Sequence, residues 1–258
     1  MPQRISFVSD LHLFTRRSEG SRYVGAIRAA ARRSSALILG GDIFDFQWST
    51  LSSIQATVDA SIEWLEHLAA DNPQCHIYYL LGNHDYCRPF LDQLESRTRA
   101  MPNFSWHPFC LRIGSNMFLH GDVAEERMST HETLLEYRSR WLHAPMAGRL
   151  RRRAYDFVFR ARLHRPLPYI IHWKRRVARR IVAYMNYLGE GAHTGVTDVY
   201  FGHIHRRMAD YRYRGLMFHN GGAAISGQRL RILEAVCQDT DIAYGPKVAD
   251  VPELSAGI

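Results

Sequence analysis

The sequence predicts an α/β fold centred on two packed β-sheets. Apolar strand-like runs alternate with amphipathic helical stretches in the first part of the chain, and later strand-like runs follow one another more closely. Between about residues 125 and 190 the strand signal stops and basic helical sequence takes its place. The 258 residues are therefore read as one domain, 1–258, with a helical insertion at about 125–190.

Each element has its own reason. "RISFVS" is a strand, and "RYVGAIRAAARR" is rich in good helix formers, with Val24, Ile27 and Ala31 on one face. "ALIL" before Gly40 and "HIYYLL" before Gly82 are short buried strands. Between them "STLSSIQATVDASIEWLEHLAA" reads as a helix capped by Ser49 or Thr50, with Ile54, Val58, Ile62, Leu65 and Leu68 as its stripe. "NMFLH", "TDVYF" and "LMFHN" are further strands, each ending at a polar cluster. In the insertion "THETLLEYRSRWLH" is helical, and so is Arg149 to Arg165, with Leu150, Ala154, Phe157, Val158 and Ala161 aligned. Prolines 166 and 168 break that helix. A last helix places Ile170, Trp173, Val177, Ile181, Tyr184 and Leu188 on one stripe, with Lys174, Arg175, Arg179 and Arg180 off it.

Composition narrows the class. At 46% hydrophobic and 22% charged the chain is an ordinary globular one, which excludes disordered and fibrous classes. No run of about 18 apolar residues exists, so no membrane-spanning helix is expected. The first ten residues hold no long apolar stretch, which argues against a signal peptide. Cys75, Cys87, Cys110 and Cys237 form no CxxC pair, which suggests buried thiols in a reducing compartment. The net charge of +8 comes from one place: Arg149 to Arg180 holds twelve Lys/Arg and one acid, Asp156. That asymmetry predicts a polyanionic or membrane-surface partner, and a cytoplasmic protein peripheral to the inner face of a membrane.

The chemistry lies where strands end. Asp10 and His12 stand in "SDLH", Asp42 and Asp45 in "GGDIFD", Asn83, His84 and Asp85 in "GNHD", His120 and Asp122 in "HGD", and His203 and His205 in "GHIH". Strand ends converge on one edge of a sheet, where ligand sites collect. Carboxylate, imidazole and amide oxygen together suit a divalent cation such as Mn, Fe, Zn or Mg, which would offset the burial of these polar groups.

The order D-x-H, G-D-x-x-D, G-N-H-D, H-G-D, G-H-x-H, extended by Asn220 and Gly221, resembles the calcineurin-like metallophosphoesterase superfamily. The resemblance spans Asp10 to His205 and implies a four-layer α-β-β-α sandwich, here with a helical insertion as a lid. It implies two divalent metal ions, manganese ahead of iron, zinc or magnesium. Carried over residue by residue, Asp10, His12, Asp42 and His205 would hold one ion, and Asp42 would bridge to a second held by Asn83, His120 and His203. Two such cations activate a water and bind phosphoryl oxygens. His84 would then protonate the leaving oxygen, and Asp85 would accept from its far ring nitrogen. Asp45, Asp122 and Asn220 are expected to orient the ligands.

"LHGDVAEERMSTHETLLEYRSRW", the basic insertion, "GHIHR" and "FHNGG" resemble a narrower group, the UDP-2,3-diacylglucosamine diphosphatases (pyrophosphatases) of lipid A biosynthesis. That group typically has Arg where this chain has His84, so the resemblance also implies a related paralogue with another substrate. It implies cleavage of a pyrophosphate or phosphodiester in a nucleotide-linked glycolipid, with Arg138, Trp141, Trp173, Lys174, Arg175, Arg179 and Arg180 as substrate or lipid contacts and an anionic membrane surface as partner. A phosphodiesterase or phosphatase acting on small nucleotides or nucleic acid ranks second. A non-catalytic scaffold of the same fold ranks third, because the ligand set is intact.

Overall fold

The computed structural model describes residues 3–148, 151, 173–237 and 242–244. Its first sheet is built from β1 (Gln3–Val8), β2 (Ala36–Leu39), β3 (His76–Leu80), β4 (Phe104–His107) and β10 (Leu233–Cys237), in the order β10-β1-β2-β3-β4. Strands β1 to β4 run parallel, and β10 closes one edge antiparallel. The parallel pairs need crossovers. Helices α1 (Val24–Arg33), α2 (Ile54–Ala70) and α3 (Arg88–Thr98) supply them.

The second sheet contains β5 (Cys110–Ile113), β6 (Asn116–Leu119), β7 (Asp198–Phe201), β8 (Met208–Tyr213), β9 (Leu216–Asn220) and β11 (Ile242–Tyr244), ordered β11-β5-β6-β7-β9-β8. Between β6 and β7 lie α4 (His131–Leu142) and α5 (Lys174–Tyr187).

Two cores follow from strand alternation. Ile5, Phe7, Ile38, Tyr78 and Leu80 of the first sheet meet Leu111, Ile113, Phe118 and Tyr200 of the second. Phe7 and Phe118 stack at 6.0 Å there. The opposite faces, with Leu37, Leu39 and Tyr79 on one sheet and Leu119, Val199 and Phe201 on the other, join the apolar stripes of the helices. The result is the α-β-β-α sandwich.

Some elements depart from the sequence reading. The cap of α2 is Ser53, whose side chain accepts from the Ala56 amide. Ser49 is instead buried and accepts from the Thr57 hydroxyl. Helix α5 starts at Lys174, so Trp173 sits at its cap position and is 70% exposed rather than on the buried stripe. That stripe is Val177, Ala178, Ile181, Val182, Tyr184 and Met185. The expected helix at 149–165 and Ile170 lie outside the described residues, apart from Arg151, which rests over the Trp48 ring. No helix of the described residues is long and apolar enough to cross a membrane.

Candidate metal centre

The strand-end motifs meet at the C-terminal edges of β1, β2, β3, β6 and β7. Reaching that meeting point requires unusual backbone. Asp10, His12, Asp42, His203 and His205 all adopt positive φ, between 46° and 66°. Non-glycine residues rarely do so, and such strain concentrates at functional sites. Neighbouring turns leave no room for side chains: a Cβ on Gly82 would lie 2.2 Å from Asp42 Oδ1, and one on Gly202 would lie 2.4 Å from Asp10 Oδ2.

Backbone bonds knit the turns together. The Asp10 amide donates to the Gly41 carbonyl and the His12 amide to that of Asp42, both at 3.0 Å. The His203 amide donates to Asp10, and the Asn220 side-chain amide donates to the Gly202 carbonyl, so Asn220 braces the "GHIH" turn.

Three groups of potential ligand atoms emerge among the described residues, each within 4.8 Å: Asp10, His12, Asp42 and His205; Asp42, His120 and His203; and His12, Asp45 and His84. Asp42 belongs to the first two. His12 Nε2 lies 3.1 Å from His205 Nε2, and His120 Nε2 lies 3.4 Å from Asp42 Oδ2. His120 presents Nδ1 to the Gly40 carbonyl at 2.9 Å, which leaves Nε2 to face Asp42. That Nε2 and the Asn83 Oδ1 are buried with no hydrogen-bond partner. Such orphaned atoms are costly, and a divalent cation satisfies both. The donor set of carboxylate, imidazole and amide oxygen suits one.

Electrostatics agree. Burial and the Arg17 guanidinium push His12 down to about 3, so its imidazole is neutral, as a metal ligand must be. Burial opposes charge on His120, yet the Asp42 carboxylate raises it to about 10. The negative field that holds a proton there also attracts a cation.

The family model for calcineurin-like phosphoesterases matches residues 3–207. The chain belongs to the calcineurin-like phosphoesterase family. It is a metal-dependent phosphoesterase, and the residues at the convergence point are the potential metal ligands of that phosphoesterase. No curated protein matches the chain. A crystal structure of a dimetal phosphatase from Danio rerio is similar over 93% of this chain and 100% of that one, at 11% identity and a TM-score of 0.46.

Around the phosphoesterase centre the roles expected of several residues change. Asp85 does not reach the His84 ring. It accepts from the backbone amides of Asp42, Phe44 and Gly82, because the tight turn directs its carboxylate under the neighbouring strand ends. The carboxylate facing His84 is Asp45, at 3.2 Å from Nδ1. Burial opposes protonation of His84, but Asp45 and Asp42 together raise its pKa. Asp122 pairs with Arg138 at 2.6 Å, and its charge also acts on the His120 and His203 imidazoles. Arg138 is 1% exposed and also donates to the Pro108 carbonyl, so it is a buried strut and not a substrate contact. Arg180 donates to the Ala124 and Glu125 carbonyls and braces α5. Trp141 packs against the core, 6.2 Å from the His84 ring. Lys174 lies over the Tyr211 ring, while Arg175 and Arg179 are exposed.

Three groups escaped the sequence reading. Arg17 is buried and donates to Asp45 Oδ2 at 2.8 Å, with His12 Nδ1 3.1 Å away. Glu125 Oε2 lies 3.3 Å from His203 Nε2. The Ser9 hydroxyl donates to Asp10 at 2.6 Å. Arg17 stands in an ordinary-looking "TRRSEG" tract, with no signal to mark it.

Proposed function

We propose that this phosphoesterase is a dinuclear-metal enzyme that hydrolyses a pyrophosphate or phosphodiester bond in a nucleotide-linked glycolipid of the UDP-diacylglucosamine type. The observation that carries the dinuclear reading is the sharing of Asp42 between two ligand groups. Asp10, His12, Asp42 and His205 would hold one cation, and Asp42, Asn83, His120 and His203 the other. Bound divalent cations supply Lewis acidity to phosphoryl oxygens and acidify a water.

The remaining work falls to the chain. His84, with its pKa raised by the facing carboxylates, holds a proton for the leaving oxygen. Asp45 fixes Nδ1 of that ring, and Arg17 fixes Asp45. Asp85 pins the backbone from Asp42 to Phe44, which keeps the shared ligand in register.

The glycolipid half of the reading is supported by α5. This helix presents Trp173, Arg175 and Arg176 outward, and Arg180 ties it to the stretch that follows the "HGD" motif. An exposed Trp beside a row of basic side chains suits an anionic interface.

The test is a substrate comparison with metal-reconstituted enzyme. UDP-diacylglucosamine in mixed micelles should be cleaved with a higher kcat/KM than bis(p-nitrophenyl) phosphate or oligonucleotides. Preference for the oligonucleotide would replace the glycolipid by nucleic acid, and no hydrolysis of any diester would remove the enzymatic reading.

A further inference from the structure

A cavity of about 360 Å³ opens between α5 and the segment that leads into α4, bounded by Arg127, Met128, Ser129, Arg179, Arg180 and Ala183. Its charge is one-sided. Among the described residues no carboxylate pairs with Arg127, Arg176 or Arg179. The crowding is felt at Arg180, whose pKa is lowered by burial and then by Arg176, with Arg179 and Arg127 adding to the effect. Glu125 is the carboxylate that opposes this, and it lies 3.3 Å from His203. Arg180 donates to the Glu125 carbonyl and the Glu125 side chain meets His203, so a relay of contacts links the cavity wall to the metal centre.

Like charges are held together at a cost unless an anion joins them. Guanidinium groups are suited to phosphate because their planar fork meets two oxygens at once. Buried Met128 and exposed Ala183 give the same cavity an apolar wall, which accommodates carbon framework beside the anion.

We propose that this cavity binds a second phosphate-type group of the substrate, one that the metal centre does not cleave. The inference rests on the phosphoesterase reading alone and adds to the glycolipid a group that UDP-diacylglucosamine itself lacks: the substrate carries two separate anionic groups, one at the cations and one between Arg127 and Arg179. Arg180, tied to backbone carbonyls, holds the floor of the cavity in place.

The test separates the cavity from the metal centre. In full-length protein carrying Asp42→Ala, inorganic phosphate binding is followed by phosphorus NMR, and adding Arg127→Gln with Arg179→Gln should raise Kd by about tenfold. In protein otherwise unchanged, two substrates are compared that differ by one group, thymidine 5′-(p-nitrophenyl phosphate) and its 3′-phosphorylated form. The ratio of kcat/KM, phosphorylated over plain, should fall by about tenfold in the double variant. An unchanged phosphate Kd with an unchanged ratio overturns the proposal, whatever the hydrolysis rates. Loss of sedimentation with phosphatidylglycerol vesicles at an unchanged phosphate Kd also overturns it, because the arginines would then serve a bilayer and not the substrate. If wild type hydrolyses no diester, the phosphoesterase reading fails, while the phosphate Kd still decides whether the cavity is an anion site.

Discussion

Asp45, and not the adjacent Asp85, stands beside the Nδ1 of His84, at 3.2 Å. The Asp45 carboxylate there stabilises the protonated form of His84. Removing that carboxylate lowers the pKa of His84, so the protonated acid is lost at a lower pH. Asp45→Asn should therefore shift the basic limb of the kcat/KM profile to lower pH for an alkyl phosphodiester, measured with metal saturating. Asp85→Asn should not move that limb, because Asp85 bonds backbone amides. An unmoved limb in Asp45→Asn would exclude the pairing as catalytic.

His84→Ala should cost about 10²–10⁴-fold on a substrate with a poor leaving group, the usual worth of general-acid help. p-Nitrophenolate leaves without a proton, so the loss on bis(p-nitrophenyl) phosphate should be much smaller. Equal losses on the two, with metal content retained, would contradict proton donation.

Arg138 and Asp122 form a bidentate pair in which both side chains are 1% exposed. Breaking one half of a buried pair leaves the other charged and dry, at a cost of about 3–5 kcal/mol. Arg138→Leu should lose that much in urea unfolding, with the Asp122 carboxyl, now held down by the guanidinium, rising towards the ordinary range. A loss below 1 kcal/mol, on the order of a surface pair, would mean the pair is solvated in solution.

The exposed face of α5 should govern membrane affinity. Each basic side chain near an anionic surface contributes about 1 kcal/mol, and salt screens it. Changing Lys174, Arg175 and Arg176 to Gln should thus weaken vesicle sedimentation by about a hundredfold at low salt. Trp173→Ala should weaken it further with little salt dependence. Retained binding in the triple variant would make these residues a solvated face.

Much of this site was legible because each ligand follows an apolar strand, and strand ends of a parallel sheet point to one edge. The short strands β2, β3, β6 and β7 could be read from their apolar runs and terminal glycines. Strands β4, β8 and β10 were not, since they lie at sheet edges and mix polar with apolar residues, and neither were the four-residue β5 and the largely polar helix α3. Adjacency in sequence suggests Asp85 as the partner of His84, but in space the turn at Asn83 sends Asp85 to the backbone amides of Asp42, Phe44 and Gly82. The resemblance makes Arg138 a substrate contact, and nothing local in its helix reveals that Asp122 lies against it. Arg17 is reached only through the tertiary fold.

The most direct measurement is the metal content of purified protein, wild type against Asp42→Ala, paired with hydrolysis of bis(p-nitrophenyl) phosphate. Sharing of Asp42 by two ligand groups predicts two divalent ions per wild-type chain. It predicts loss of metal from both positions in the variant, with hydrolysis falling to background. Wild-type stoichiometry and rate in Asp42→Ala would contradict the dinuclear centre.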